Sequence, residues 1–410
     1  MSSCRLVSLS VVVLSALILL SCVGLVKNNQ SQPGPTPSPS PSPVVQTQQL
    51  LYVLSNGSLA TYTIDPKALT AQAVGAPVNL AQTSPNVGPQ LVASPDGHFL
   101  YLVWVDLQAQ GHISAFATNA SGVPQIPAIQ TLDVSPQPQL LMHPSGSFAY
   151  LLDTTPVGNM EVSSSLRLLH VDSATGKLTE DPQFLSSYGP DTWSAGLFGW
   201  NADGTQLYDT WAVSFHGSNT TDYRQRTVNS QTGALGAEVP VYSVSYSWAN
   251  QGEIVAIGSK IIVDFFMGSG GAVNTWLNIF PNSPNPPLNQ TPLINCTSTM
   301  FGPCSTAAGV QLDNSGKYLF FNDPVSQKIR VARIDLSASQ VVDTGSSIPS
   351  SQAGHVVVFS TDGTLVYTIP WDNSVPLQIY SFDAGSGKLT PGSSLALPAV
   401  YDGVYSVERH

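Results

Sequence analysis

Tryptophan and aspartate recur at one register of this sequence. Seven residues on from a series of turn glycines stand Trp104, Asp153, Trp211, Asp323 and Pro370; Trp371 and Asp372 follow the last of these, and Asp106 follows Trp104 closely. Indole rings are flat apolar surfaces and carboxylates are acceptors, so together they can stack on a sugar or other ring compound and bind its hydroxyls. The same residues also suit packing, each Trp covering the end of its own sheet and each Asp capping a turn. Seven residues before the glycines stand Gln90, Gln139, Leu197, Ser245, Gly309 and Val356, with His355 one step earlier. Gln90 and Gln139 add amide groups to the same surface. His355 is the general-base candidate of the register, with Asp153 and Asp323 as alternatives, and the register places no Arg beside them.

Other polar clusters carry less. His143 replaces a Ser in its turn and belongs at the opposite end, in a turn or surface role. Arg224 and Arg226, with His216, Asp222 and Tyr223, read as a solvated insertion. No Ser-His-Asp set, His-Glu metal motif or glycine-rich phosphate loop stands at a working spacing, so neither metal nor cofactor is expected. Cys296 and Cys304 have seven residues between them and no accompanying His. In an oxidising envelope two such thiols pair as a disulfide.

The elements that must position these residues form a repeat. Ser94-Pro95-Asp96-Gly97, followed by the alternating run from Phe99, reads as a β-hairpin turn and its second strand. It returns at His143–Gly146, Asn201–Gly204, Asp313–Gly316 and Ser360–Gly363, with a weaker copy at Trp248–Val255. The turn glycines lie 47 to 64 residues apart, the length of a four-stranded propeller blade. Blades are expected to begin near Gln90, Gln139, Leu197, Ser245, Gly309 and Val356. Residues 50–80 lack a first strand, and Gly403–Val407 is a lone one. Joining them gives an all-β, seven-bladed β-propeller over 50–410, closed by pairing of the C-terminal strand with the N-terminal blade. The segments Thr154–Ser165, Asp209–Thr221 and Met267–Val273 are expected as long loops after the second strand of their blades.

Composition narrows the partners. The formal charge is −11, with only 14 Lys and Arg, so a nucleic-acid partner and direct attraction to an anionic membrane are disfavoured. Arg5 and the apolar run Leu6–Leu20 read as a targeting segment, 1–21. Leu19-Leu20-Ser21-Cys22 resembles a lipobox in which Cys22 is lipidated, so the only membrane contact expected is the lipid anchor. The alternative is an ordinary cleaved signal or an uncleaved anchor. Residues 22–49, rich in Pro and Ser, read as an extended spacer. These features imply a bacterial cell-envelope location and a monomer facing the periplasm or exterior.

The Ser-Pro-Asp-Gly turn with its aromatic-Leu-Tyr strand recurs alongside Asp172-x-x-x-Gly176-x-Leu178 and Asp383-x-x-x-Gly387-x-Leu389. Together they resemble the 6-phosphogluconolactonase-like family of seven-bladed propellers and its relatives with YVTN-type repeats. The resemblance implies the fold over roughly 50–410; for activity it implies at most lactone hydrolysis, because the matched residues build turns and sheet. Two functions are therefore expected in this order. The first is a platform binding a carbohydrate, small ligand or envelope protein. The second is a hydrolase of a cyclic ester.

Overall fold

The structure is a computed structural model. It describes residues 48–55, 57–81, 89–156, 162–187, 192–201, 203–215, 218–246, 254–257, 260–269, 272–281, 289–294, 310–323, 326–335, 337–338, 340–350, 355–370, 376–398 and 403–409. These are strand and turn without a helix. The strands are β1 (Gln48–Ser55), β2 (Ser58–Asp65), β3 (Thr70–Ala73), β4 (Val78–Asn79), β5 (Gln90–Ala93), β6 (Phe99–Val105), β7 (Gly111–Ala117), β8 (Gln130–Val134), β9 (Gln137–Met142) and β10 (Phe148–Pro156). There follow β11 (Val162–Val171), β12 (Leu178–Ser187), β13 (Thr192–Trp200), β14 (Gln206–Phe215), β15 (Ser218–Val228), β16 (Leu235–Tyr246), β17 (Ile254–Ile257), β18 (Lys260–Ser269), β19 (Ala272–Pro281) and β20 (Asn289–Ile294). The last nine are β21 (Val310–Leu312), β22 (Tyr318–Asp323), β23 (Lys328–Asp335), β24 (Gln340–Pro349), β25 (His355–Phe359), β26 (Leu365–Pro370), β27 (Leu377–Asp383), β28 (Lys388–Leu395) and β29 (Gly403–Arg409).

The fold is a β-propeller built of antiparallel meanders. Among the described residues six hydrogen-bonded sheets form, where seven separate blades are expected from the sequence. The difference lies in one eight-stranded sheet, in which the single pair Val162↔Thr192 joins the meander β9–β12 to the meander β13–β16. Strand β29 pairs with β1 from Gly403↔Leu54 to Arg409↔Gln48.

The recurring turn is held by its first residue. The Ser94 hydroxyl accepts the Phe99 N–H at 3.0 Å, Asn201 Oδ1 accepts that of Gln206 at 2.8 Å, and Ser360 accepts that of Leu365 at 2.8 Å. All are buried, which is why a small polar residue recurs there. Four residues after the glycine an aromatic points into the seam between sheets. Tyr101, Tyr150, Tyr208 and Tyr367 have no exposed surface, nor has Tyr52 in β1, which no turn glycine precedes. The Tyr52 hydroxyl donates to the Gly122 carbonyl at 2.7 Å and that of Tyr150 to the Gly233 carbonyl at 2.6 Å. Burial raises these phenols, Tyr208 up to about 12.

His143 occupies the first turn position of its copy and is 2 % exposed, so it is no surface residue. Its ring stacks on Phe148 at 4.2 Å and meets the edge of Trp200 at 4.8 Å. Nδ1 accepts the Ser145 N–H at 3.0 Å, so Nε2 carries the proton and donates to the Gly204 carbonyl at 3.0 Å. One imidazole thus ties two successive turns. Burial lowers its affinity for a proton, against the opposing pull of that carbonyl. The unfolded chain therefore binds the proton more readily. Stability is complete above the ordinary histidine range and is lost as pH falls through it. Melting curves from about pH 7.5 to 5 should show the wild type losing stability on acidification, and His143→Asn, which copies Asn201, losing less of it. Parallel curves would sink this assignment.

Two sequence expectations need correction. The copy read at Trp248–Val255 is out of register: Ser245 lies in β16, paired with Thr220, and Ile254–Ile257 is a first strand, its Ile257 paired with Lys260 of the next. Its turn lacks the Pro or Asp of the other copies, so only the glycine of Gln251-Gly252 supported that reading. The expected long loops are mostly sheet, because β-branched and aromatic residues continue the alternation: Ser218 pairs with Phe215, and Ala272 with Ser269. The N-terminal sheet's last strand is split into β3 and β4, both paired with β2. Cys22, Cys296 and Cys304 lie outside the described residues.

Candidate functional site

Trp104 sits near the end of β6 and faces the preceding sheet. Leu100 and Leu102 pack with Leu50, Tyr52 and Val407, and the half-buried Trp104 continues that row. Directly across the ladder from Trp104 is His112, and across from His112 is Asp133. The two rings lie 4.5 Å apart, tilted by 32°. The indole N–H donates to Ser114 Oγ at 3.1 Å, and Ser114 is within 3.1 Å of Thr131 Oγ1. His112 Nδ1 lies 2.9 Å from Asp133 Oδ1, and Nε2 lies 3.2 Å from Asp106 Oδ2. Asp106 Oδ1 also accepts the N–H groups of Gln108 and Gln110, each at 2.8 Å. The Gln110 N–H above all, with His112 and the Gln108 N–H, holds Asp106 below the usual carboxylate range against the opposing effect of burial.

Other sheets repeat this carboxylate–cation–carboxylate row with arginine. Arg167 on β11 lies 2.8 Å from Asp153 on β10 and makes a two-point contact with Glu180 on β12. Arg330 on β23 lies 3.4 Å from Asp323 on β22, pairs with Asp343 on β24, and stands over the Phe321 ring at 5.3 Å. Burial acts against the charge of Arg330 and Asp343, but their hydrogen bond prevails, raising the one and lowering the other. Arg226 lies 3.3 Å from Asp209 and 2.9 Å from Glu238, and reaches Ser186 of the preceding meander at 2.9 Å. Arg224 joins the same Glu238 at 2.7 Å. Both arginines are under 10 % exposed, so the expected solvated insertion is strand, and its arginines are buried in an ion-pair network whose Glu238 reaches solvent.

The placement of the sequence candidates follows. Trp104, Asp153 and Asp323 hold one register on three different sheets. Asp153 Oδ1 accepts the Ser135 N–H at 2.8 Å while Oδ2 faces Arg167; Asp323 Oδ1 accepts the Ser326 N–H at 3.1 Å while Oδ2 faces Arg330. A cation therefore does stand beside each of these acids, contrary to the sequence register, and each oxygen already accepts. Gln90 donates to the Leu140 carbonyl and accepts the Leu140 N–H, both at 3.0 Å, which stitches β5 to β9. Gln139 pairs with Leu152 in the ladder. In backbone register Trp211 opposes Ala195 and Asp222, and His355 opposes Pro370. Trp371 lies outside the described residues. Sequence reasoning missed His112, Arg167 and Arg330 and misread Arg226 as solvated; the signal for them is the cross-strand neighbourhood of each acid.

No protein-family model matches the chain, and no curated protein sequence matches it. Solved structures do. A Bacteroides fragilis protein provisionally described as a 6-phosphogluconolactonase superposes with a TM-score of 0.59 at 13 % identity, over 90 % of this chain and 100 % of its own. A Bacteroides uniformis protein of the same provisional description gives 0.56 at 14 %, over 88 % and 99 %. The Pseudomonas aeruginosa periplasmic gluconolactonase gives 0.54 at 15 %, over 88 % and 99 %. Identities this low speak for architecture alone. The chain therefore shares the β-propeller fold of these lactonase-like structures.

Proposed function

We propose that the chain is a binding platform for a hydroxylated ring compound of the carbohydrate class, recognised at the end of the propeller that carries Trp104. The observation that carries this reading is the Trp104 indole, partly exposed, anchored through its N–H and backed by His112. Asp133, 79 % exposed beside it, supplies an acceptor for hydroxyl groups. Asp153, Asp323, Trp211, Trp371, Gln90 and Gln139 extend the same face in this reading. The eight-stranded sheet counts as two blades, which makes a seven-bladed ring that β29 closes against β1. The leader 1–21, lipidated Cys22 and spacer 22–49 tether the ring 50–410 in the cell envelope, in keeping with the periplasmic description of one structural neighbour. A Cys296–Cys304 disulfide belongs to the same proposal.

Calorimetry with methyl glucopyranoside and gluconate tests it. Trp104→Ala should weaken binding about tenfold, the loss of about 1.4 kcal/mol of stacking, with the thermal transition nearly unchanged. Unchanged binding would sink the platform.

A second reading, hydrolysis of a cyclic ester, is favoured by the names of the neighbours and by an imidazole held between carboxylates at His112. In that reading His355 or His112 activates water against the ester carbonyl. Turnover of glucono-1,5-lactone that His355→Ala or His112→Phe abolishes would displace binding as the primary activity.

A further inference from the structure

We infer that the outer edge of β16 is a pairing surface for a second copy of this chain, an interaction independent of any ligand. Strand β16 ends the eight-stranded sheet, so among the described residues its outer side pairs with no strand. An unpaired strand offers its N–H and C=O groups to another chain, and proteins interrupt such edges with proline, bulges or charge. The other outer strands carry those guards. Register breaks hold Pro182 in β12, Pro292 in β20, Gly345 in β24 and Gly392 in β28. Pro77 stands in the gap between β3 and β4, and the unbroken β8 exposes Asp133. Strand β16 is bulged at Val241, after Pro240, but it then runs on, with Tyr242 to Tyr246 paired without a shift to Tyr223 to Asn219. That run has no proline, glycine or charge.

The occupant follows from the run itself. Tyr242-Ser243-Val244-Ser245-Tyr246 reads the same in both directions. Antiparallel pairing of two copies about Val244 therefore sets Tyr242 opposite Tyr246, Ser243 opposite Ser245 and Val244 opposite itself. Aromatic pairs and hydroxyl pairs stabilise antiparallel neighbours, and each Val lies diagonal to the other copy's tyrosines. The alternation places Tyr242, Val244 and Tyr246 on one face of the joined sheet and the two serines on the other. Charge permits the contact. Each copy carries −11, yet the run is uncharged, and Glu238, the nearest acid on β16, lies six residues from the axis. Asp222, one strand further in, is accompanied by Arg224 at 3.6 Å. Such a contact is isologous, so one pairing uses the edge of both copies and closes the assembly at two. The chain is then a dimer in place of the monomer expected from its sequence, with β14–β15–β16 of one copy continued by β16–β15–β14 of the other.

Light scattering of the intact chain during size-exclusion chromatography tests this. The mass should rise from one chain toward two between about 1 and 100 μM, the affinity of a small interface. Val244→Lys sets two ammonium groups opposite each other at the axis and should weaken association about tenfold or more. Should that variant fail to fold, a short thiol cross-linker reads the same register. Val244→Cys should cross-link to itself and Tyr242→Cys only when mixed with Tyr246→Cys, above a background from the native thiols that the wild type and Val239→Cys define. A single-chain mass throughout the range leaves the edge to an extended segment of some other protein and overturns the inference. So does a mass above two chains, a dimer that Val244→Lys leaves intact, or a Val244→Cys chain that does not cross-link above the background.

Discussion

A chain ending before Gly403 is expected to lose cooperative folding. Strand β29 covers β1, whose central residues Leu50 to Leu54 have no exposed surface, and contributes Val404 and Val407 at 8 % and 5 % exposure. Two buried valines are worth about 1.5 to 3 kcal/mol each, and the newly bared face of Leu51 and Val53 adds a comparable amount. The sum, of order 5 kcal/mol or more, rivals the entire stability of many domains. The loss also leaves a long apolar strand edge, the kind that associates with other chains. Circular dichroism melts and size-exclusion chromatography of a 403–410 deletion should show no cooperative transition, or aggregation. A truncated protein that melts within a few degrees of the full chain would mean that β29 is dispensable.

Gly176→Ala should be the most damaging single methyl among the turn glycines. Gly176 has φ +70°, and a Cβ there would lie 2.2 Å from Phe99 Cδ1, a buried ring of the preceding sheet. The backbone conformation costs about 1 to 2 kcal/mol for an L residue, and overpacking adds about 1 to 3. Gly75→Ala separates the two effects, because Gly75 shares the conformation at φ +71° with nothing within 4 Å. Denaturant unfolding should show Gly176→Ala losing about 2 to 5 kcal/mol and Gly75→Ala about 1, with Phe99→Leu restoring part of the former loss. Equal losses at the two glycines would show that Phe99 yields without cost.

The blade turns and first hairpins were legible because their chemistry is local. Pro or Asp before a glycine, followed by alternation, specifies a turn within a few residues, and β5 and β6 fall where those signals put them. The turn at Gln251-Gly252 lacked that chemistry, and its strands were misplaced. The repeated Asp-x-x-x-Gly was visible, but its reason was not: the glycine lies on a neighbour's aromatic ring, a contact between blades. The charged rows were hidden for a related reason. Asp323 and Arg330, Asp153 and Arg167, and Asp209 and Arg226 are separated by 7, 14 and 17 residues, because the intervening hairpins differ in length. Only the pairing of strands brings them to one spacing.

The pairing of Gln48 with Arg409 gives the proposed ring a property of covalent topology. The two ends of the paired strands stand side by side, so hydrogen bonds complete a circuit that a peptide turn of a few residues would complete equally well. Which sheet comes first is then a question of where the circle is cut. With ends so joined, permuted chains opened in an exposed turn such as 66–69 retain every strand neighbour of the original.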